Sequence, residues 1–293
     1  MASLAASTPT PPQATYIKFK RSSTGGIGAF SSCFIKQGSL ILSEQSLITS
    51  SSQTLTATYD KLDVSIQKKI FALADCRAST YAEKTLDSIF HTNAYPVTNS
   101  GIGGLSNEDY GGLFPSFARF NSSCCPNITH RFDVESGNRY VFAAFDIEAD
   151  VELFNCYMDT CTPTSVRQKL FKDRFNYICL CKVCTLPTDE LKISDNNRKE
   201  LDSLDETTYN LIRGGKYEEA FIVVEKRLVL LKEENLDSPS LVFRVLFDGF
   251  QAADHSSNSE KILEFRKRIL EVVDLCYVVG SEEYNATLRD IGA

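Results

Sequence analysis

The chain has 293 residues, of which 43% are hydrophobic and 24% charged, a composition typical of a globular protein with enough apolar material for a core. No apolar run approaches the ~20 residues of a membrane helix, so we expect no membrane association. The net charge of -7 argues against direct nucleic-acid binding and is compatible with a basic protein substrate.

The first fifteen residues carry no charge and are rich in Ala, Ser, Thr and Pro. A secretory signal would need a basic start and an apolar middle, and this stretch has neither. We interpret residues 1–15 as a disordered tail. We expect an intracellular protein, in the nucleus, the cytoplasm or both, and a monomer.

Residues 16–160 consist mostly of short segments with strand-like patterns. The apolar or aromatic runs at 40–42 and 140–142 are bounded by Gly, Ser and Asn. Between them, apolar residues at three- and four-residue spacings predict helix over roughly 59–90, and the composition of 99–112 indicates a loop. The sequence therefore predicts a β-rich domain of the α+β class with a helical insertion.

After Cys184 the periodicity becomes helical. Apolar residues recur at helical spacing over 201–212, 217–233, 240–253 and 259–279. Residues 215–220 resemble the start of a tetratricopeptide-type helix, and about three repeats would be needed to establish an array. We predict an all-α, tetratricopeptide-like region over 190–293, which either stabilises the fold or offers a surface to a protein partner.

Seven of the ten cysteines lie between residues 124 and 184. In a chain without a secretory signal, such clustering favours a metal over disulfides. Cys179, Cys181 and Cys184 can converge on one ion, and structural zinc needs four ligands. The alternative is three reduced structural thiols. Spacing alone leaves the fourth ligand open among Cys124, Cys125, Cys156 and Cys161.

Two further segments indicate no function by themselves. Residues 119–127 hold a cluster of small polar side chains that ends at Pro126, which is typical of an ordered loop. Residues 154–159 place Tyr157 directly after an apolar strand-like segment. A tyrosine at such a position is more often part of the core or the surface than of a catalytic site.

Taken in order, these segments resemble a SET domain of the SET-and-MYND class, in a branch without the MYND module. Residues 121–127 are similar to the family's Asn-His-Ser-Cys-x-Pro-Asn, and residues 145–157 to its Asp-Ile-x-x-Gly-Glu-Glu-Ile-x-x-x-Tyr. The other matching segments are the opening glycines at 26–38, the strand end at 44–47, the Asn-Ala-Phe strand at 91–95 and the passage into the post-SET cysteines at 167–184.

The resemblance covers roughly residues 16–186 and implies an architecture. It implies a SET domain of small sheets around a pseudoknot-like core over 16–160, with the insertion at about 55–112. A post-SET zinc-binding segment follows over 161–186, before the helical region. The implied cofactor is S-adenosylmethionine, and the implied substrate is a lysine of a histone or another protein.

The resemblance also implies roles for individual residues. The residues implied to bind the cofactor are Gly26, Gly28, Phe30, Asn121, Ser122 and Tyr177. Tyr157 is implied to be catalytic, beside the methyl group and the lysine nitrogen. Asn93, Phe117 and Tyr157 are expected to line the substrate channel, with Phe114 as a further candidate wall. Cys124 is implied to be the fourth zinc ligand, with Cys179, Cys181 and Cys184.

The sequence departs from the family pattern at four positions. Ser122 stands where the family has His, and Ile27 where it commonly has Arg or Lys. Asp150 replaces a turn glycine and Val151 the first Glu of the following pair. These departures favour a second hypothesis, a SET-fold binding module without catalysis that recruits a partner through its helices.

Overall fold

The computed structural model of the protein describes residues 16–97 and 110–293. The predicted tail at 1–15 and most of the predicted loop at 99–112 lie outside these ranges. Within them, the first half of the chain contains the strands β1 (Ile17–Arg21), β2 (Ile27–Ser31), β3 (Leu40–Gln45), β4 (Ile48–Ser50), β5 (Ala94–Pro96), β6 (Gly111–Leu113), β7 (Ile128–Asp133) and β8 (Asn138–Ala143).

The strands form three small antiparallel sheets. β1 and β2 make a hairpin whose turn contains Gly25 and Gly26, both with positive φ. β3, β8 and β7 make the second sheet in that order, and β4, β6 and β5 make the third. The two apolar runs predicted as strands pair with each other, because they lie in β3 and β8. The β-rich α+β character predicted for this half is confirmed.

The insertion is not one continuous helical stretch over 59–90, as the spacing predicted. It contains α1 (Leu55–Tyr59), α2 (Val64–Phe71), a 3-10 turn at Tyr81–Glu83 and α3 (Leu86–Asn93). After α2 the chain turns at Asp75, whose carboxylate accepts from the backbone N–H of Arg77, and α3 begins where the Thr85 side chain accepts from the N–H of Ser88. Ile70 and Ile89 are buried with residues of β4 and β6.

Two distant segments meet side by side at the centre of this half. Asn121–Ser123 lies parallel to Asn155, through a bridge between Ser122 and Asn155. The N–H of Ser123 donates to the carbonyl of Asn155 at 2.8 Å, and the N–H of Asn155 donates to the carbonyl of Asn121 at 2.9 Å. This pairing brings Asn121 and Tyr157, which are far apart in sequence, to one place.

The second half is helical. Its described helices are α4 (Thr164–Phe175), α5 (Thr188–Arg213), α6 (Tyr217–Glu233), α7 (Pro239–His255), α8 (Ser259–Cys276) and α9 (Glu282–Asp290). α6 has the predicted bounds, α5 begins well before residue 201, and α9 was not predicted. None of the described helices combines the length and apolar character that a membrane span requires.

The helices α5 to α8 bury a core of their own. Phe221 of α6 stacks on Phe265 of α8 with ring centroids 5.8 Å apart. Gly249 of α7 lies against the same ring, where an added Cβ would come within 2.4 Å of Phe265. The helical half is therefore held together mainly by apolar packing between successive helices. How the chain divides into domains near residues 160 and 186 stays an interpretation.

Candidate active site and metal centre

A cavity of about 1060 Å³ opens beside the two paired central segments. It is bordered by the β1–β2 turn, the end of α3, the end of α4 and the helical half. The structure brings several of the predicted site residues to this cavity, namely Gly26, Asn93, Asn121, Tyr157 and Tyr177. Gly28, Phe30, Phe117 and Ser122 are not among the residues that line it.

Tyr157 is fixed at both its backbone and its hydroxyl. Its N–H donates to Ser122 Oγ at 3.2 Å, and its hydroxyl donates to the carbonyl of Phe120 at 2.9 Å. Burial raises the pKa of Tyr157 well above 10, since the phenolate would be poorly solvated. The side chain therefore faces the cavity as a neutral, oriented hydrogen-bonding group.

An aromatic wall lies next to this tyrosine. The Phe175 ring is 5.2 Å from Tyr157 and 6.4 Å from Tyr177, measured between centroids. The Tyr177 hydroxyl is buried and makes no hydrogen bond of normal geometry with the described residues. Sequence reasoning missed Phe175, and a signal was present: α4 ends there because Asn176 adopts the left-handed conformation that Asn tolerates, with φ of 55°.

Phe117 does not lie at the cavity, in contrast to the expectation that it lines the substrate channel. Its side chain is fully buried, 4.6 Å from the ring of Tyr95 and 4.8 Å from that of His130. Phe114 is equally buried in the same core cluster. Phe117 opens a 3-10 turn that directs its ring between the sheets, and the sequence does not reveal that direction.

Asn93 borders the cavity with its amide already engaged. Its side-chain nitrogen donates to the carbonyls of Ala74 and Ile89, both at 2.7 Å. These bonds satisfy the end of α3 and the turn after α2. The geometry therefore gives Asn93 a role in shaping the wall.

Asn121 is oriented by Glu152, a residue that sequence reasoning did not single out. Asn121 Nδ2 donates to Glu152 Oε1 at 2.8 Å, and the Ser22 hydroxyl donates to Oε2 at 2.8 Å. Gly28 lies against this pair, because an added Cβ would be 2.2 Å from Glu152 Oε1. Glu152 was identifiable as the second acid of the matched Glu-Glu pair. Phe30, on the same strand as Gly28, packs under Lys20, whose Nζ is 4.1 Å from the ring centroid.

The departures from the family pattern are accommodated in the structure. The Ser122 hydroxyl accepts the Tyr157 N–H, so the position still links the two central segments. Asp150 adopts a φ of 68°, as its turn position requires, and its carboxylate lies 2.6 Å from Lys18 and Lys20. Those ammonium groups lower the pKa of Asp150 to about 2. Ile27 is 42% exposed at the cavity edge.

Four cysteine sulfurs form one cluster in the structure. The Sγ atoms of Cys124, Cys179, Cys181 and Cys184 all lie within 4.8 Å of one another, and those of Cys124 and Cys184 are 3.6 Å apart. A tetrahedral zinc with Zn–S bonds near ~2.3 Å would hold its sulfurs about 3.8 Å apart, so the geometry fits a four-thiolate site. Of the four candidates that spacing left open, Cys124 is the one that joins the trio.

The environment of the cluster also suits metal-bound thiolates. The N–H of Cys124 donates to Cys181 Sγ at 3.4 Å. Hydrogen bonds among the four thiols lower the pKa of Cys181 and Cys184, because they stabilise those thiolates, while the pKa values of Cys124 and Cys179 are raised. Gln168 of α4 binds the backbone of Cys179 twice, at 2.8 and 2.9 Å, and so anchors the loop. These contacts order the segment that carries Tyr177.

Comparisons with known proteins agree with this architecture. Residues 26–158 match the family model of the SET domain. The chain is similar to Histone-lysine N-methyltransferase set5 of Schizosaccharomyces pombe, 28% identical over 200 residues, which are 67% of this chain and 58% of that protein. It is also similar to N-lysine methyltransferase SMYD2-B of Danio rerio, 31% identical over 117 residues, which are 40% of this chain and 26% of that protein.

A solved structure, the SET domain of LSMT bound to lysine and AdoHcy, aligns with 94% of this chain and 80% of its own at 11% identity. Its TM-score of 0.32 is too low to support a structural argument. The chain spans less than two thirds of the two curated relatives. The family match includes both paired central segments and the strands β2 to β8 around them. Residues 26–158 are therefore a SET domain.

Proposed function

We propose that this protein transfers a methyl group from S-adenosylmethionine to the side-chain nitrogen of a lysine in a protein substrate. The observation that carries the proposal is the single cavity that Gly26, Asn121, Tyr157 and Tyr177 share within and beside a SET domain. Two relatives whose names describe lysine methyltransferases support the same chemistry.

The residues around the cavity fit S-adenosylmethionine. A volume of about 1060 Å³ leaves space for a cofactor and an entering side chain, since ligand pockets are commonly about 300–1,000 Å³. Gly26, with a φ of 66°, lets the backbone approach a ligand closely, and the oriented Asn121 amide offers hydrogen bonds. Tyr177 offers an aromatic face and a buried hydroxyl that makes no hydrogen bond of normal geometry with the described residues. When bound, the cofactor supplies a methyl group carried on a sulfonium.

The chain's own residues would control the protonation and orientation of the lysine. A free lysine has a pKa of about 10.4, so it must lose its proton before it can attack. The wall formed by Tyr157, Phe175 and Tyr177 excludes water and favours the neutral amine by desolvation. The pKa of Tyr157 lies well above 10, so its hydroxyl stays protonated and acts by orientation, not as a base.

We further propose that the cysteine cluster binds a structural zinc ion. Four thiolates leave no open coordination position for substrate, so the metal would not take part in the reaction. Its role would be to hold the segment 177–184 against Cys124. That contact keeps Tyr177 at the cavity.

The binding module without catalysis is not favoured. Its support came from the departures at Ser122, Ile27 and Asp150. In the structure Ser122 contacts Tyr157 and Asp150 adopts the required turn. Ile27 is a partly exposed residue at the edge of the cavity. None of these residues blocks the residues proposed to act.

We propose that the substrate is a histone or another protein. We also propose that the enzyme is a monomer and acts in the nucleus or the cytoplasm. The named relative set5 is described as a histone-lysine methyltransferase, which makes histones the first substrates to screen. The helices α5 to α8 remain candidates for a partner surface.

The first test is calorimetric titration of the purified protein with S-adenosylmethionine, with zinc measured on the same sample. We expect one zinc per chain and a Kd in the micromolar range, about -8 kcal/mol. A folded, zinc-loaded protein without cofactor binding would refute the proposed activity.

The second test is methyl transfer by Tyr157→Phe, once a substrate is found. We expect about a hundredfold loss of kcat with an almost unchanged cofactor Kd, because the hydroxyl orients the reacting groups. Tyr140→Phe is the matched control, since the Tyr140 hydroxyl lies 3.3 Å from Ser136 Oγ and Tyr140 does not line the cavity. Equal losses in both variants would remove the assigned role.

A further inference from the structure

Arg198 of helix α5 reaches from the helical half of the chain into the centre of the first half, which contains the SET domain and is hereafter the SET half. Arg198 of α5 is fully buried. Its Nη1 donates to two backbone carbonyls, that of Cys124 at 3.0 Å and that of Thr160 at 2.7 Å. Its Nε donates to Glu234 Oε2 at 2.9 Å and lies 3.3 Å from Ser194 Oγ.

The two carbonyls belong to the two segments that build the site. Cys124 lies three residues after Asn121 and is a member of the cysteine cluster. Thr160 lies three residues after Tyr157. One nitrogen atom of Arg198 therefore holds both segments at once, just beyond the point where they pair through Ser122 and Asn155.

The charge of this arginine is balanced inside the helical half. Glu234, at the end of α6, is buried and also accepts from Ser194 and Asn197. The thiol of the neighbouring Cys125 faces the carbonyls of Glu234 and Asn235, at 3.9 and 3.8 Å. An arginine without this partner would be an unpaired buried charge, so Glu234 is what allows Arg198 to occupy its position.

We propose that Arg198, oriented by Glu234, is a positioning residue through which helix α5 sets the metal loop and the Tyr157 segment relative to each other. The part of the inference that concerns the cofactor rests on the proposed function. The part that concerns the cysteine loop does not, because it requires only that the four thiols bind zinc.

A second contact between the halves provides a matched control. Arg131 of β7 donates to the carbonyl of Cys276 at 3.2 Å and pairs with Glu283 at 2.6 Å. Its guanidinium lies 3.8 Å from the ring centroid of Tyr277. Arg131 thus joins the same two halves, but it touches neither the cysteine cluster nor the cavity.

The experiment compares Arg198→Lys, Glu234→Gln and Arg131→Lys with the wild type. Lysine keeps the charge but cannot place a planar fork on an acid and two carbonyls together. The measurements are Tm, zinc release to a chelator and the Kd for S-adenosylmethionine. For Arg198→Lys we expect zinc release and cofactor Kd to rise about ten- to a hundredfold, as for other partners of metal ligands. Glu234→Gln should shift both in the same direction by less.

Arg131→Lys should lower Tm without changing zinc release or cofactor Kd. Equal zinc retention and cofactor affinity in Arg198→Lys and the wild type would overturn the proposal. So would equal changes in Arg131→Lys at a matched loss of Tm, because any weakening of the contact between the halves would then suffice. If the wild type binds no cofactor, the proposed function fails and zinc release alone decides the role of Arg198. If Arg198→Lys does not fold, Glu234→Gln provides the decisive comparison.

Discussion

The two halves of the molecule are held together by different kinds of contact. In the helical half, long helices pack on the helices next to them in sequence, around apolar side chains such as Phe221 and Phe265. In the SET half, strands of at most six residues are closed by backbone hydrogen bonds between distant residues. One example is the bond of 2.8 Å from the N–H of Leu153 to the carbonyl of Ala29.

This difference determines which property a single substitution changes in each half. A core of many apolar contacts loses stability in proportion to the volume removed, while its neighbours keep their arrangement. A site made of a few polar contacts between distant segments loses its geometry when one contact is lost. We therefore expect substitutions in the SET half to change ligand binding, and substitutions in the helical half to change the free energy of unfolding.

The largest expected effect is that of Cys181→Ser. This change removes one of four clustered sulfurs, and the metal site would lose a ligand in its first coordination sphere. We expect zinc to be lost and methyl transfer to fall by more than about a hundredfold, the upper range for loss of an outer contact. The measurements are metal content by mass spectrometry and activity with added zinc.

Cys125→Ser is the control for this variant. Cys125 is adjacent to Cys124, but it is not a member of the cluster and its thiol faces the carbonyls of Glu234 and Asn235. Full zinc content is expected. Zinc loss in Cys125→Ser, or retention in Cys181→Ser, would contradict the assignment of the cluster.

The next effect should be confined to the helical half. Phe265→Ala removes a fully buried ring that Phe221 and Gly249 contact, and should lower the free energy of unfolding by about 3–5 kcal/mol. At temperatures where the variant is folded, zinc content and cofactor Kd should be unchanged. Ile222→Ala, at a side chain that is 72% exposed, should change stability by less than about 0.5 kcal/mol. Loss of zinc in folded Phe265→Ala would show that metal binding in the SET half depends on the core of the helical half.

A smaller effect, on binding and not on stability, is expected for Gly28→Ala. The new methyl group would displace the Glu152 carboxylate. The Asn121 amide would then lose the hydrogen bond with Glu152 that orients it. We expect the cofactor Kd to rise about tenfold, or about 1.4 kcal/mol. Gly137→Ala in the β7–β8 turn is the control for a loss of stability alone: its φ of 68° strains an alanine, but an added Cβ meets no atom within 4 Å and Gly137 does not line the cavity, so the cofactor Kd should not change. An unchanged cofactor Kd in Gly28→Ala would show that Glu152 has no role in binding the cofactor.

The smallest effect concerns pH and the exposed turn at Asp150. Hydrogen bonds from Lys18 and Lys20 lower its pKa from 3.8 to about 2, so the folded state favours the ionised form. The stabilisation is complete above pH ~4 and is lost as the pH falls toward 2. The difference in Tm between wild type and Asp150→Asn should therefore disappear over that range, at low salt. A difference that persists at pH 2 would exclude an ionic origin.

The helical half was predictable because its signal is local. The bounds of α6 follow from apolar spacing within seventeen residues. The resemblance supplied Asn121, Tyr157 and Cys124, since each stands within a motif of the family. The structure brings Cys124 to the other three sulfurs and both central residues to the cavity.

The remaining parts of the site depend on directions and distances that no local pattern contains. Phe117 was expected at the channel because it is aromatic and close to Asn121 in sequence, yet the 3-10 turn buries it between the sheets. Phe175 is the exception, because the Asn176 that ends α4 in a left-handed conformation is a residue type that marks helix ends in the sequence. Arg198 is invisible in the sequence, because its acceptors are backbone carbonyls 74 and 38 residues away.

The position of Arg198 in the chain also bears on the order in which the protein folds during synthesis. A ribosome adds roughly 5–20 residues per second, so Asn121 and Tyr157 emerge several seconds before α5. The strands β3 and β8 must find each other across almost a hundred residues, a slow kind of pairing, whereas α5 to α8 need only their neighbours. The two central segments of the nascent SET half are therefore made before α5, and they lack the contacts of Arg198 until that helix has been synthesised.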